Sequence, residues 1–182
     1  KIRGEIEVRK NFKNAIILKP SIIYSVDDNF TTMLMSLLNL SPIFPLYYGG
    51  KTKFMPLHCV DICNLIFELI ENDAEEKTIE CIGPEVFTFK QIIEKLLKLI
   101  EKKRFFVPLP LFIANTMAFF FQLLPKPLIT KDQIKLLFYD NIPSGKYKTN
   151  FDIGKKFELN FEKEVEKYCY MWKQSGEYSR KK

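Results

Sequence analysis

The residues able to do chemistry are few and scattered. The only histidine, His58, precedes Cys59, with Asp61 and Cys63 close behind. Imidazole and thiolate are zinc-ligand types, but no second ligand pair follows at zinc spacing, so no metal is expected. His58 reads as a packed or surface residue rather than a general base. Asp61 stands where a helix begins and reads as its N-cap. Cys59, Cys63, Cys81 and Cys169 lie mostly in apolar runs; they read as core residues of a protein from a reducing compartment. The remaining polar cluster runs from Lys19 through Pro20 and Ser21 to Ser25, Asp27 and Asp28.

That cluster punctuates the stretch Ala15 to Tyr24. Ala15-Ile16-Ile17-Leu18 is a continuous apolar run, and Ile22-Ile23-Tyr24 resumes it. Such a run reads as a strand buried on both faces, the kind found in parallel sheets covered by helices. Pro20 cannot donate to a ladder, so it marks a strand end or a break in pairing. Ligands in open α/β sheets bind beyond the carboxyl ends of strands. Residues Lys19 to Asp28 are therefore the expected place for a site.

The elements that would position it follow in order. Lys1 to Asn11 reads as the end of a helix. Asn29 to Leu40 is a helix by the spacing of Phe30, Met33, Leu34, Leu37 and Leu38, with Asp27 or Asp28 as cap. Ser41 to Pro45 ends it, Tyr47 to Lys51 turns, and Lys53 to Cys59 is short and extended. A helix from Asp61 carries Ile62, Leu65, Ile66, Leu69 and Ile70. Thr78 to Ile82 is a strand and Gly83-Pro84-Glu85 a turn. Thr88 to Gln91 is a capping box that opens a helix with Ile92, Ile93, Leu96, Leu97 and Ile100. Arg104 to Val107 is a strand, and Thr130 to Gln133 a second capping box. Asn141 to Gly154 reads as a surface loop. A last helix from Phe161 places Val165, Tyr168, Cys169 and Trp172 on one face. Alternating strands and helices mean an α/β fold.

With 47% hydrophobic and 27% charged residues the chain is globular and not disordered. Its net charge of +6 comes from 28 basic and 22 acidic residues, with basic residues crowding both ends. That excess is a solvated surface or an attraction to anionic membrane. No basic stripe interleaved with aromatics appears, so nucleic acid is not an expected partner. Leu111 to Leu124 is strongly apolar, with Phe119-Phe120-Phe121 at its centre. It is shorter than the ~20 apolar residues a membrane span needs. It reads as a buried helix or as a helix lying on a membrane surface or membrane protein.

Several motifs together carry a family resemblance. They are Lys1-Ile2-Arg3-Gly4-Glu5, Lys19-Pro20-Ser21-Ile22-Ile23-Tyr24, Phe54-Met55-Pro56-Leu57-His58-Cys59-Val60-Asp61 and Gly83-Pro84-Glu85-Val86-Phe87-Thr88-Phe89. Leu40-Ser41-Pro42, Gly50-Lys51-Thr52, Val107 to Pro110, Ile129 to Gln133 and Phe151-Asp152-Ile153-Gly154 add to them. In this order they resemble the carboxyl half of an extended short-chain dehydrogenase/reductase of the epimerase/dehydratase-like type. The branch they resemble most is the NAD(P)-binding accessory subunit of respiratory complex I and its bacterial relatives.

The resemblance implies a Rossmann-like, doubly wound parallel sheet with a smaller, mostly helical substrate-side lobe. Residues 1–28 and 53–82 would belong to the sheet, and residues 29–52 and 83–182 mainly to the lobe and tail. The family's catalytic pair is a Tyr and a Lys four residues later, and Lys1 aligns with that lysine. Its implied role is to hydrogen-bond the nicotinamide ribose and lower the tyrosine pKa. Pro20, Ser21 and Ile22 match the segment beside the nicotinamide. Ser25 and Val26 replace the usual glycine and proline of that loop. The tyrosine, the glycine-rich fingerprint and the acidic ribose ligand would lie upstream, so the chain reads as the carboxyl-terminal portion of an NAD- or NADP-binding protein. The implied functions are an oxidoreductase or nucleotide-binding protein, a non-catalytic accessory or assembly subunit of complex I, or a membrane-associated reductase of quinone or lipid metabolism. The implied setting is bacterial cytoplasm, peripheral on the inner membrane, or the mitochondrial matrix side.

Overall fold

The computed structural model describes residues 2–72, 77–109, 135–173 and 176. Lys1, Leu111 to Leu124 and the capping box at Thr130 to Gln133 lie outside the described residues.

The main sheet is parallel, in the order β1 (Ile17–Pro20), β6 (Thr78–Cys81), β9 (Lys148–Thr149). β2 (Ile23–Tyr24) pairs in parallel with β5 (Leu57–His58). β3 (Ile43–Tyr47) pairs in parallel with β8 (Phe105–Leu109), and β4 (Lys53–Phe54) antiparallel with β7 (Phe87–Thr88). The helices are α1 (Ile2–Asn11), α2 (Thr31–Leu40), α3 (Cys59–Glu71), α4 (Phe89–Leu99) and α5 (Phe161–Glu166).

Two apolar clusters hold these elements. The larger one gathers Leu34, Met35 and Leu38 of α2, the buried face of α4, and Phe161 and Val165 of α5. The smaller joins Leu57, Ile79, Cys81 and Phe157 to Ile62 and Leu65 of α3. α4 is well specified locally: Thr88 Oγ1 accepts from Gln91 N, and Gln91 Oε1 accepts from Thr88 N. Two reciprocal bonds satisfy amides that a helix end otherwise leaves unpaired. The last element keeps its predicted face, since Val165, Tyr168, Cys169 and Trp172 are all buried. Its helix stops at Glu166, and a 3-10 turn covers Cys169–Trp172.

The structure corrects several expectations. β1 is only half-buried, and Pro20 is exposed. β6 pairs along one edge of β1, and among the described residues no strand pairs along the other. α1 reaches this region through polar side chains: Glu5 pairs with Lys19 Nζ at 2.9 Å, and Arg9 donates to Lys77 O and Thr78 Oγ1. β3 lies where a simple helix stop was expected. Pro45 argues against a strand, but among the described residues each strand of this two-stranded ribbon has one unpaired edge, where proline is tolerated. The cap of α3 is His58, whose Nδ1 accepts from Val60 N at 3.3 Å; Asp61 sits inside the first turn. Asn141 to Gly154 is more than a surface loop. It contains β9, and the fully buried Asn150 accepts from Ile82 N and donates to Lys155 O. Cys81 and Cys169 are buried as expected, whereas Cys63 is exposed and Cys59 half-buried.

Candidate functional site: the switch after strand β1

At Pro20-Ser21-Ile22 the chain changes partner. Up to Pro20 it runs beside β6, with Pro20 opposite Cys81, and Ser21 N still donates to Cys81 O at 2.9 Å. From Ile22 onward it runs beside β5: Leu57 N donates to Ile22 O at 2.9 Å, and Tyr24 lies opposite His58. The strand thus hands over from one neighbour to another within three residues. A proline there interrupts the ladder where pairing must change anyway. The gap between β6 and β5 is narrow. Gly83 N donates to Met55 O at 3.0 Å, and a Cβ on Gly83 would lie 1.7 Å from Pro56 O. Only glycine fits this approach.

The Ser21 hydroxyl is committed within the protein. It donates to Asn141 O at 3.1 Å and accepts from Met55 N at 3.4 Å. Ile22 packs partly buried against the larger core. Pro20 is the exposed member of the three. Ser21 is therefore a tie that holds the strand end to the segments at Met55 and Asn141. Asn141 reinforces the tie by donating its N–H to Lys53 O at 2.7 Å. Its part escaped the sequence reading because a lone Asn in a polar loop carries no signal of what it bridges.

Lys19 lies on the same strand end. Its ammonium pairs with Glu5 and sits 4.5 Å from the centre of the Tyr147 ring. The hydrogen bond it donates to Glu5 raises its pKa despite the opposing effect of burial. Lys19 thus stays charged beside the exposed Pro20.

Beyond β2 the backbone turns through Ser25 to Asp28. Asp28 organises the turn: its Oδ1 accepts from Phe30 N at 3.1 Å and Thr32 N at 2.9 Å, and its Oδ2 accepts from Thr31 Oγ1 at 2.7 Å. The expected cap, Asp27 or Asp28 of a helix from Asn29, is displaced: the helix begins at Thr31, Phe30 holds the cap position, and Asp28 serves the first turn from two residues further back. With Thr31 donating to Asp28, Tyr168 O–H donates to Thr31 Oγ1 at 2.7 Å. Ser25 is not among the residues of positive φ, so its backbone does not require the glycine usual there. A shallow groove of about 410 Å³ opens beside the turn, lined by Val26 to Asn29, Thr32, Met33, Ser36, Met171 and Trp172.

Behind the turn, Tyr24 is fully buried, donates to Leu159 O at 3.4 Å, and meets His58 and Phe161 edge-on at 5.2 and 4.9 Å. Burial drives its pKa up, out of range of acid–base work near neutrality. Asp61 lies close by with Oδ2 buried and without a hydrogen-bond partner. Desolvation raises its pKa; the Leu159 amide and His58 oppose this, and Glu164 and Glu158 add to it. His58 is thus a cap and a ring contact, as expected of a packed residue. Among the described residues no group of three or more His, Cys, Asp or Glu side chains is arranged to hold a metal.

No family model matches this chain. It is 30% identical over 155 residues to "NADH dehydrogenase [ubiquinone] 1 alpha subcomplex subunit 9, mitochondrial" of Arabidopsis thaliana, covering 79% of this chain and 39% of that protein. It is 28% identical over 156 residues to the "NADH-ubiquinone oxidoreductase 40 kDa subunit, mitochondrial" of Neurospora crassa, covering 85% of this chain and 40% of that protein. The chain therefore spans about two fifths of the length of these relatives. Among solved structures, it superimposes with a TM-score of 0.58 on GDP-mannoheptose C4 reductase from Campylobacter jejuni with NADP bound. The match has 13% identity and covers 94% of this chain and 55% of that one. UDP-glucuronic acid 4-epimerase from Bacillus cereus, in complex with UDP-glucuronic acid and NAD, also gives 0.58, at 16% identity and covering 93% of this chain and 50% of that one. At these identities the structural likeness speaks for the fold. The chain is thus a homologue of the mitochondrial complex I subunits named above, and it has the fold of the epimerase/dehydratase-like extended short-chain dehydrogenases.

Proposed function

We propose that this chain is the nicotinamide-side part of an NAD- or NADP-binding protein, and that the whole protein is an accessory subunit of a membrane-bound NADH:quinone oxidoreductase. The observation that carries the nucleotide reading is the switch after β1. A parallel strand ends at Pro20-Ser21-Ile22 with Pro20 exposed, Ser21 ties that end down, and Lys19, paired with Glu5, lies beside it. Ligands in this fold class bind where strands end and topology switches. The exposed Pro20 is the side on which a nicotinamide would lie, and Lys1 would meet its ribose. Lys1 lies outside the described residues, and its role rests on the motif alone.

The chain's 7 glycines include no G-x-G-x-x-G run. The pyrophosphate site of this fold is built by a first strand, glycine turn and helix. The 182-residue chain is therefore expected to show no NADH binding by fluorescence or calorimetry. A longer polypeptide that carries the preceding half of the fold is expected to bind with micromolar affinity. Micromolar binding by the 182-residue chain itself would sink the proposal.

The accessory-subunit reading rests on the homology to complex I subunits. It implies the matrix side of the mitochondrial inner membrane in a eukaryote, or the cytoplasmic face of the inner membrane in a bacterium. Leu111 to Leu124 is the segment proposed to meet the membrane or the complex. Among the described residues no helix is long and apolar enough to cross a membrane. An oxidoreductase role stays tied to the upstream tyrosine: with it, hydride would pass between nicotinamide C4 and a substrate carbon while tyrosine and Lys1 handle the proton.

A further inference from the structure

Cys59 and Cys63 stand apart from the other two cysteines. Cys81 and Cys169 are buried, whereas Cys63 is exposed and Cys59 half-buried. Both belong to α3, four residues apart, and Cys59 is its first residue. Helical residues at that interval stand on one face, one above the other. The two side chains meet: the Cys63 thiol is in hydrogen-bond contact with that of Cys59, and burial together with this contact pushes the Cys59 pKa up. Neither residue belongs to an apolar cluster, so core packing does not account for the pair.

A dithiol at the surface can close to a disulfide or capture a thiophilic ion. An intact helix holds Cβ atoms four residues apart at about 5–6 Å. A disulfide requires roughly 3.5–4.5 Å. The start of α3 resists the unwinding that closure would need, because His58 Nδ1 accepts from Val60 N and Leu57-His58 pairs with Ile23-Tyr24. An ion between the sulfurs asks for less. Two bonds of the length found in zinc thiolates, about 2.3 Å each, set the sulfurs roughly 4 Å apart.

The donor set selects the ion. Among the described residues no third His, Cys, Asp or Glu joins the pair to make a metal-binding group. Structural zinc takes four protein ligands, and calcium and magnesium take oxygen ligands in larger number. Soft thiolates select Cu(I), which is satisfied by two of them. Two thiolates on Cu(I) leave one net negative charge. The start of a 13-residue helix meets that charge with the positive end of its dipole.

We propose that Cys59 and Cys63 form a two-thiolate site for a soft cation, Cu(I), at the start of α3. Binding forms two Cu–S bonds and releases the two thiol protons, with no change of oxidation state at copper or sulfur. Burial pushes the Cys81 thiol up to about 11 and raises that of Cys169, so neither is a ready competitor. The site does not depend on nucleotide binding.

The test is anaerobic titration of the 182-residue chain with Cu(I) in competition with bicinchoninate, a chromophoric chelator. One ion per chain is expected, with an ultraviolet thiolate-to-copper charge-transfer band. Cys59→Ser and Cys63→Ser should each lower the affinity about a hundredfold and remove the band at an unchanged thermal midpoint, since a single thiolate then remains. If Cys59→Ser disturbs the helix start, the exposed Cys63→Ser decides. Binding that survives Cys63→Ser overturns the site and gives the ion to the methionines or the buried cysteines. One ion per two chains overturns the intrahelical geometry in favour of a bridge between copies. No ion held against the chelator overturns the inference outright.

Discussion

Helices α4 and α3 are both rich in aliphatic residues, and the chain treats them oppositely. α4 confines Ile92, Ile93, Leu96 and Leu97 to one face, and every one is buried. α3 carries apolar residues nearly all round. Ile62 and Leu65 are buried, while Ile66, Phe67 and Ile70 are 41%, 61% and 78% exposed. Val60 and Cys63 extend this second stripe. Asp61 and Glu68 turn toward Leu159 and Lys155, so the stripe looks away from that side. A helix apolar on all sides is built to be covered on all sides. Among the described residues α4 finds its whole complement, and α3 finds half of its own. The same asymmetry marks the sheet, where β6 has a neighbour on both edges and β1 on one among the described residues.

The strongest test of that contrast is truncation. Leu96→Ala in α4 should cost about 3 kcal/mol in urea unfolding, as large-to-small changes in a closed core cost roughly 2–5 kcal/mol. Ile70→Ala in α3 should stay within about 0.5 kcal/mol, the usual range for an exposed site. Equal costs would break the comparison. A smaller effect probes why α4 is set so firmly: Thr88→Ala removes one arm of the capping box and should cost about 1 kcal/mol. Hydrogen exchange should quicken at Gln91 N–H, which would lose its acceptor, while α3 amides stay unchanged.

The smallest effect concerns the start of α3. Desolvation raises the Asp61 pKa above its unfolded value, so the folded state holds its proton more tightly. Stability from this group is then greatest below the unfolded pKa and falls as pH rises through the folded pKa. Asp61→Asn keeps an acceptor for the Leu159 amide and removes the buried charge. The variant should unfold at higher temperature than the parent at pH 7, with the gap narrowing toward pH 4. A gap that widens on acidification would show that Asp61 works as an ion-pair partner instead.

Much of the fold was legible because it is written in local pattern. The capping box at Thr88, the periodicity of Ile92 to Ile100 and the face made by Val165, Tyr168, Cys169 and Trp172 each need only neighbouring residues to be read. β3 was hidden because Pro45 is a local sign against strands, and its tolerance depends on the number of partners the ribbon has. His58 displaced Asp61 as cap because the helix starts at Cys59, set by pairing of Leu57-His58 with Ile23-Tyr24. In the candidate site, the strand break at Pro20 could be read from the run of residues. That Ser21 is tied to Asn141 could not, since 120 residues of chain separate them.

The sequence by itself determined the alternation of strands and helices, the helix faces, the strand end at Pro20 to Ile22 and, through the order of its motifs, the fold family. These follow from side-chain period, proline and capping chemistry, which act over a few residues. Only the tertiary structure decided that the strand changes partner at Ser21, that β1 has a strand on one edge alone among the described residues, and that Ile43, Phe105 and the outer stripe of α3 lie in solvent. Those outcomes depend on which distant segments meet, and burial is a property of the meeting rather than of either segment alone.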